Sequence, residues 1–84
     1  MNEITIKDII SDLNNEGESD AYYYDPHTCH AYHLHYFHDT GDVACMKNTG
    51  KTIRKISENE FTEAVNGKCF GNSISANPYY GIII

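Results

Sequence analysis

Five histidines, five tyrosines and one cysteine fall between Tyr22 and His38, in the run Tyr-Tyr-Tyr-Asp-Pro-His-Thr-Cys-His-Ala-Tyr-His-Leu-His-Tyr-Phe-His. Imidazole and thiolate ligate transition metals, imidazole titrates near neutral pH, and tyrosine anchors protein partners. The run therefore raises three chemistries at once: a metal centre, acid–base catalysis and a contact surface.

The metal reading rests on His33 and His35. On a strand, residues i and i+2 share a face and lie about 7 Å apart, which suits two ligands of one ion. These two would share their face with Cys29, Ala31 and Phe37, while His30 and His38 would join Tyr32, Leu34 and Tyr36. A zinc site needs three or four ligands. If the hairpin turns at residues 39–42, Met46 opposes His35 and Asn48 opposes His33, and neither side chain is a usual zinc ligand. A second cluster of His27, Cys29 and His30 across the Pro26 bend is a further arrangement for zinc. Without either cluster the chain needs no cofactor, and its histidines serve as half-buried ring residues of a sheet.

Catalysis needs a nucleophile, a base and an orienting group brought together. Cys29, Cys45 and Cys69 are candidate nucleophiles, but no local signature accompanies them and no glycine-rich run could cradle phosphate. A small hydrolase or nuclease using His35 or His38 with Lys47 or Arg54 is chemically feasible. Nucleases grip a polyanion, however, and this chain is acidic. The chain reads as a non-enzyme.

Charge carries the third reading. The formal net charge is −6, or −1 with all five histidines protonated, and it is unevenly spread. Residues 1–42 hold nine acids against Lys7 alone, a net of −8, whereas residues 43–84 carry +2. Such a half repels phosphate backbones and attracts basic surfaces, so direct nucleic-acid binding is not expected. Asp12, Glu16, Glu18, Asp20 and Asp25, with Tyr22, Tyr23 and Tyr24 among them, form the candidate partner surface. Carboxylates would steer a basic partner inward, and Tyr23 would anchor it. The functional expectation is a stoichiometric inhibitor of a basic nucleic-acid-handling protein, of the DNA-mimic, phage anti-defence, anti-CRISPR or immunity kind.

The elements that must position these residues are readable from spacing. Ile6, Ile9, Ile10 and Leu13 form one helical stripe, capped by Thr5 with Asp8 and stapled by Ile4 onto Ile9. Asn14, Asn15 and Gly17 end that helix, and an acidic loop follows to Asp20. Tyr22–Tyr24, residues 28–38, Val43–Lys47 and Thr52–Ile56 read as strands, with turns at Pro26, Asp39-Thr40-Gly41-Asp42 and Asn48-Thr49-Gly50. Ser57 caps a second helix with Glu60 in the capping box, an Ile56–Phe61 staple, a stripe of Phe61, Ala64 and Val65, and Gly67 as the stop. Cys69-Phe70 and Ser73–Ala76 are strand candidates. The terminal isoleucines should dock as an edge strand or against a second subunit.

The expected fold is a single α+β domain over residues 1–84: N-terminal helix, antiparallel β-meander of three to five strands, second helix, C-terminal strand. Both helices should cover one sheet face and leave the other for a partner or a homodimer. No apolar run approaches the length of a membrane span. The Met-Asn-Glu-Ile start lacks the basic and apolar regions of a secretory leader, and the cysteines are too scattered for a disulfide framework. A cytoplasmic location with reduced thiols is the expectation.

Overall fold

Helix, four-stranded antiparallel meander and second helix follow one another in the computed structural model, which describes residues 3–67 and the backbone of residues 70–74. Helix α1 spans Ile6–Glu16. Its capping box is complete: Asp8 N–H donates to Thr5 Oγ1 at 3.2 Å and Thr5 N–H to Asp8 Oδ2 at 3.0 Å. The helix runs past Asn14 and Asn15, further than expected, and stops only at Gly17. There φ is +70°, and Glu18 N–H closes the last turn on the Leu13 carbonyl at 2.9 Å. Glycine takes this left-handed conformation without a Cβ clash, which is why it and not the asparagines sets the end.

The meander comprises β1 (Asp20–Asp25), β2 (His30–Phe37), β3 (Asp42–Asn48) and β4 (Ile53–Ile56). Strand β1 takes in the acids on both sides of the three tyrosines, and Pro26 sits in the turn after it. The β2–β3 connection is a four-residue loop, 38–41, closed by Gly41 N–H on the Phe37 carbonyl at 2.8 Å with Gly41 at φ +79°. The turn falls one residue earlier than the expected 39–42, at the same length, and this moves the register by two residues. Met46 therefore opposes His33 and Ala44 opposes His35, correcting the pairing assumed from sequence.

Helix α2 covers Glu58–Gly67, with Glu60 N–H donating to Ser57 Oγ at 3.0 Å. The Glu60 carboxylate does not complete the box. It pairs with Arg54, Nη2 to Oε2 at 3.2 Å. Strand β5 (Phe70–Ile74) lies antiparallel to β1 and gives the order β4-β3-β2-β1-β5. Strand β5 runs through Gly71 and Asn72, which sequence had set as a break, with an irregularity between Tyr23 and Tyr24. Cys69, Ser75, Ala76 and the terminal isoleucines lie outside the described residues.

Both helices pack on one face. Ile9 and Leu13 of α1 and Phe61, Ala64 and Val65 of α2 meet Ala21, Tyr23, Tyr32, Leu34 and Cys45, with Tyr36, Val43 and Ile56 at the margin. Phe61 is the hub, edge-on to Tyr23 at 5.7 Å and to Tyr32 at 6.4 Å between ring centroids. Asn66 ties α2 to the start of α1, accepting from Ile4 N–H at 2.7 Å and donating to the Ile4 carbonyl at 2.9 Å. Strand alternation then sends Asp20, Tyr22, Tyr24, Ala31, His33, His35, Phe37, Met46 and Ile53 to the opposite face.

Candidate functional site on the open sheet face

Register brings Asp20 of β1 directly opposite His35 of β2, and Tyr22 opposite His33. Asp20 Oδ1 lies 2.7 Å from His33 Nε2 and 2.7 Å from His35 Nδ1. A carboxylate oxygen can only accept, so both ring nitrogens carry protons and point them at one atom. Burial pushes the Asp20 carboxyl up, but hydrogen bonds from His35 and His33 and their charge outweigh it and hold the group below the ordinary carboxylate value.

The rings are held from outside the triad as well. Tyr22 stacks on His33 with centroids 4.5 Å apart and planes 11° from parallel. Phe37 meets His35 edge-on at 4.6 Å. Burial, and then the Asp20 charge, raise the Tyr22 phenol above its usual value, so it stays neutral beside the carboxylate. All three members of the triad remain about one-third exposed, at 29–34% of their side-chain surface.

Sequence singled out His33 and His35 but looked for their third partner on β3 and found none. The partner is Asp20 on β1, a residue whose neighbours in sequence place it on the acidic contact surface. The missed signal was the β1–β2 register, since a four-residue turn at 26–29 places residue 20 against residue 35. Cys29 lies in that turn, exposed, at φ +60°, and not on the His33 face of β2. Among the described residues, Asp20, His33 and His35 form the one group of three ligating side chains close enough to share an ion.

The candidate partner surface divides. Asp12 and Glu16 are exposed on α1, on the helix side of the sheet, while Asp20, Tyr22 and Tyr24 lie on the other side. Tyr23 is buried against Phe61, and Asp25 is buried and accepts from His27 N–H at 2.9 Å. Neither presents itself to a partner, a correction that follows from strand alternation at 20–25. Asp12 and Glu16 thus do not share a face with Asp20, Tyr22 and Tyr24.

A different acidic grouping replaces it. Tyr36 N–H donates to the Ser19 carbonyl at 2.8 Å, and His38 Nε2 donates to the Glu18 carbonyl at 3.1 Å. These bonds tie the α1–β1 connection to the end of β2. Glu16 and Glu18 thereby join Asp39 of the β2–β3 turn and Asp42 at the start of β3 at one end of the sheet, where residues 16–20 and 37–43 contain no lysine or arginine. Lys47, Lys51, Arg54 and Lys55 sit toward the other end, on β3, β4 and their turn. The sequence asymmetry has become a spatial one.

No protein-family model, curated protein or solved structure matches the chain. Function must be read from the geometry alone. No described helix is long and apolar enough to cross a membrane.

Proposed function

We propose that the protein is a stoichiometric binding protein, not an enzyme, that engages the basic surface of a nucleic-acid-handling protein. The observation that supports this reading is the end of the sheet bearing Glu16, Glu18, Asp39 and Asp42 with no lysine or arginine among them. Charges of one sign on a rigid frame steer a complementary partner and raise its association rate. The adjoining open face supplies ring surface from Tyr22, Tyr24 and Phe37 that a partner would cover. A basic groove built to hold phosphates offers the complementary array.

The test is capture of a partner by the untagged, immobilised protein, followed by association kinetics at low and high salt. Charge reversal at Glu16, Glu18, Asp39 and Asp42 together should slow association and flatten its salt dependence, leaving dissociation little changed. A quadruple variant that associates as fast as wild type would show that these acids serve solubility alone.

The open face supports self-association as a second reading, because Ile53 and Phe37 are 67% and 46% exposed on it. Light scattering at high micromolar concentration separates the two: a monomer mass removes the homodimer and leaves the partner reading intact.

A further inference from the structure

We propose that Asp20, His33 and His35 form a binding site for one first-row divalent transition ion, zinc above all, on the open face of the sheet. The three ligand atoms, one carboxylate oxygen and two imidazole nitrogens, lie within 4.8 Å of one another. Around a tetrahedral ion with bonds of about 2.0–2.1 Å, donor atoms stand roughly 3.3 Å apart. The two 2.7 Å contacts to Asp20 Oδ1 need open by only about 0.6 Å to admit it. That is a small rotation of side chains whose backbones are fixed by a two-strand ladder.

Ion entry replaces one kind of bond with another at the same atoms. In the ion-free state His33 Nε2–H and His35 Nδ1–H donate to the carboxylate. As the ion binds, the proton on each coordinating nitrogen leaves through water, to the ring's other nitrogen or to solvent, and the freed lone pairs and the carboxylate face the cation. No redox partner is needed, and the carboxylate charge offsets half of the ion's. Glu18 and Asp42 near this end of the sheet add a favourable field. Tyr22 stacked on His33 and Phe37 against His35 restrict the rings, which lowers the ordering cost of binding. The partial exposure of all three groups leaves the fourth position to water or to a donor from a bound molecule, the pattern of an open site and not of a closed structural one.

Two imidazoles with a single carboxylate select against hard ions. Magnesium and calcium want all-oxygen shells, whereas zinc, nickel, copper and iron accept imidazole. The site does not depend on the acidic-end reading, and neither result bears on the other.

The experiment uses the untagged chain, stripped with chelator, and titrates it with zinc chloride while recording heat and the imidazole resonances by NMR. One equivalent should bind, the ring signals of His33 and His35 should shift, and those of His27, His30 and His38 should not. Asp20→Asn, which keeps side-chain shape, and the His33→Asn/His35→Asn pair should each lose the stoichiometric step, while His27→Asn/His30→Asn retains it. Equal binding of magnesium would overturn the assignment. So would uptake below about a tenth of an equivalent, or ring shifts confined to the other three histidines of the wild-type protein. The wild-type spectra decide the matter even if a variant fails to fold.

Discussion

Tyr22 lies flat on His33, centroids 4.5 Å apart and ring planes within 11° of parallel, one residue on each of two paired strands. Stacked cross-strand rings contribute about 0.5–1.5 kcal/mol beyond the area they bury. Tyr22→Leu should therefore destabilise the fold by about that amount in urea titration, and Tyr22→Phe should not. The leucine variant should also weaken zinc binding, because His33 gains rotational freedom, whereas the phenylalanine variant keeps the stack.

Tyr23, its neighbour in sequence, belongs to another part of the molecule. Truncation of a buried ring leaves a cavity and costs about 3–5 kcal/mol. Tyr23→Ala and Phe61→Ala should each lower the unfolding free energy by an amount in that range, read from the urea midpoint and slope. If Tyr23→Ala instead left stability untouched and only speeded release of a partner, the helix-covered face would be wrongly assigned.

Asp25 gives the fold a dependence on acid. Burial pushes its carboxyl up, but the His27 and Thr28 N–H groups and the Thr28 hydroxyl outweigh this and bring it below the ordinary value of 3.8. A group depressed on folding contributes stability that is fully present above its unfolded value and is lost as pH falls through the lower, folded one. Asp20 is depressed in the same direction, so both act in one window. The melting temperature should hold from neutral pH down to about 4 and drop below it. Asp25→Asn should melt lower than wild type at neutral pH and converge on it in strong acid.

Thiol chemistry should separate two cysteines. Cys45 is buried, and burial with the nearby Glu58 charge pushes its thiol up to about 11, while Cys29 is exposed. Only thiolate alkylates quickly. Peptide mapping after brief iodoacetamide treatment of the native protein at mildly alkaline pH should find Cys29 modified and Cys45 intact. Unfolding should open Cys45 to the reagent.

Cys29 also sits at φ +60°, a conformation that costs a residue with a Cβ about 1–2 kcal/mol. Replacement by glycine relieves that strain and loses part of the gain to unfolded-chain entropy. Cys29→Gly should raise stability by about 0.5–1 kcal/mol, read as a higher melting temperature.

Local signals carried most of the architecture. Thr5 with Asp8, and Ser57 before Phe61, each name a helix start through bonds made within four residues, and both helices begin where those residues put them. Strand existence was equally legible from alternation. Register was not. It depends on where each turn closes, and closure one residue earlier, at 38–41, places Met46 opposite His33 and not His35. The triad was half-legible for the same reason: His33 and His35 announce themselves by spacing within one strand, but Asp20 joins them only through a pairing between strands. Its type and position read as one more surface acid. The division of Tyr22 from Tyr23 is legible in strand alternation at 20–25, which three tyrosines in a row obscure by looking like one patch.

Strand β5 gives β1 its second neighbour, with Ala21 opposite Ile74. More than fifty residues separate that pair along the chain. During synthesis the meander can zip up in order as each hairpin emerges, but β1 keeps one bare edge until the segment after α2 has left the ribosome. Pairings of such separation are slow to form, and an unpaired edge is a template for the wrong neighbour. The time at risk is thus set by the delay before β5 follows, while the bare β1 edge stays open to the wrong neighbour.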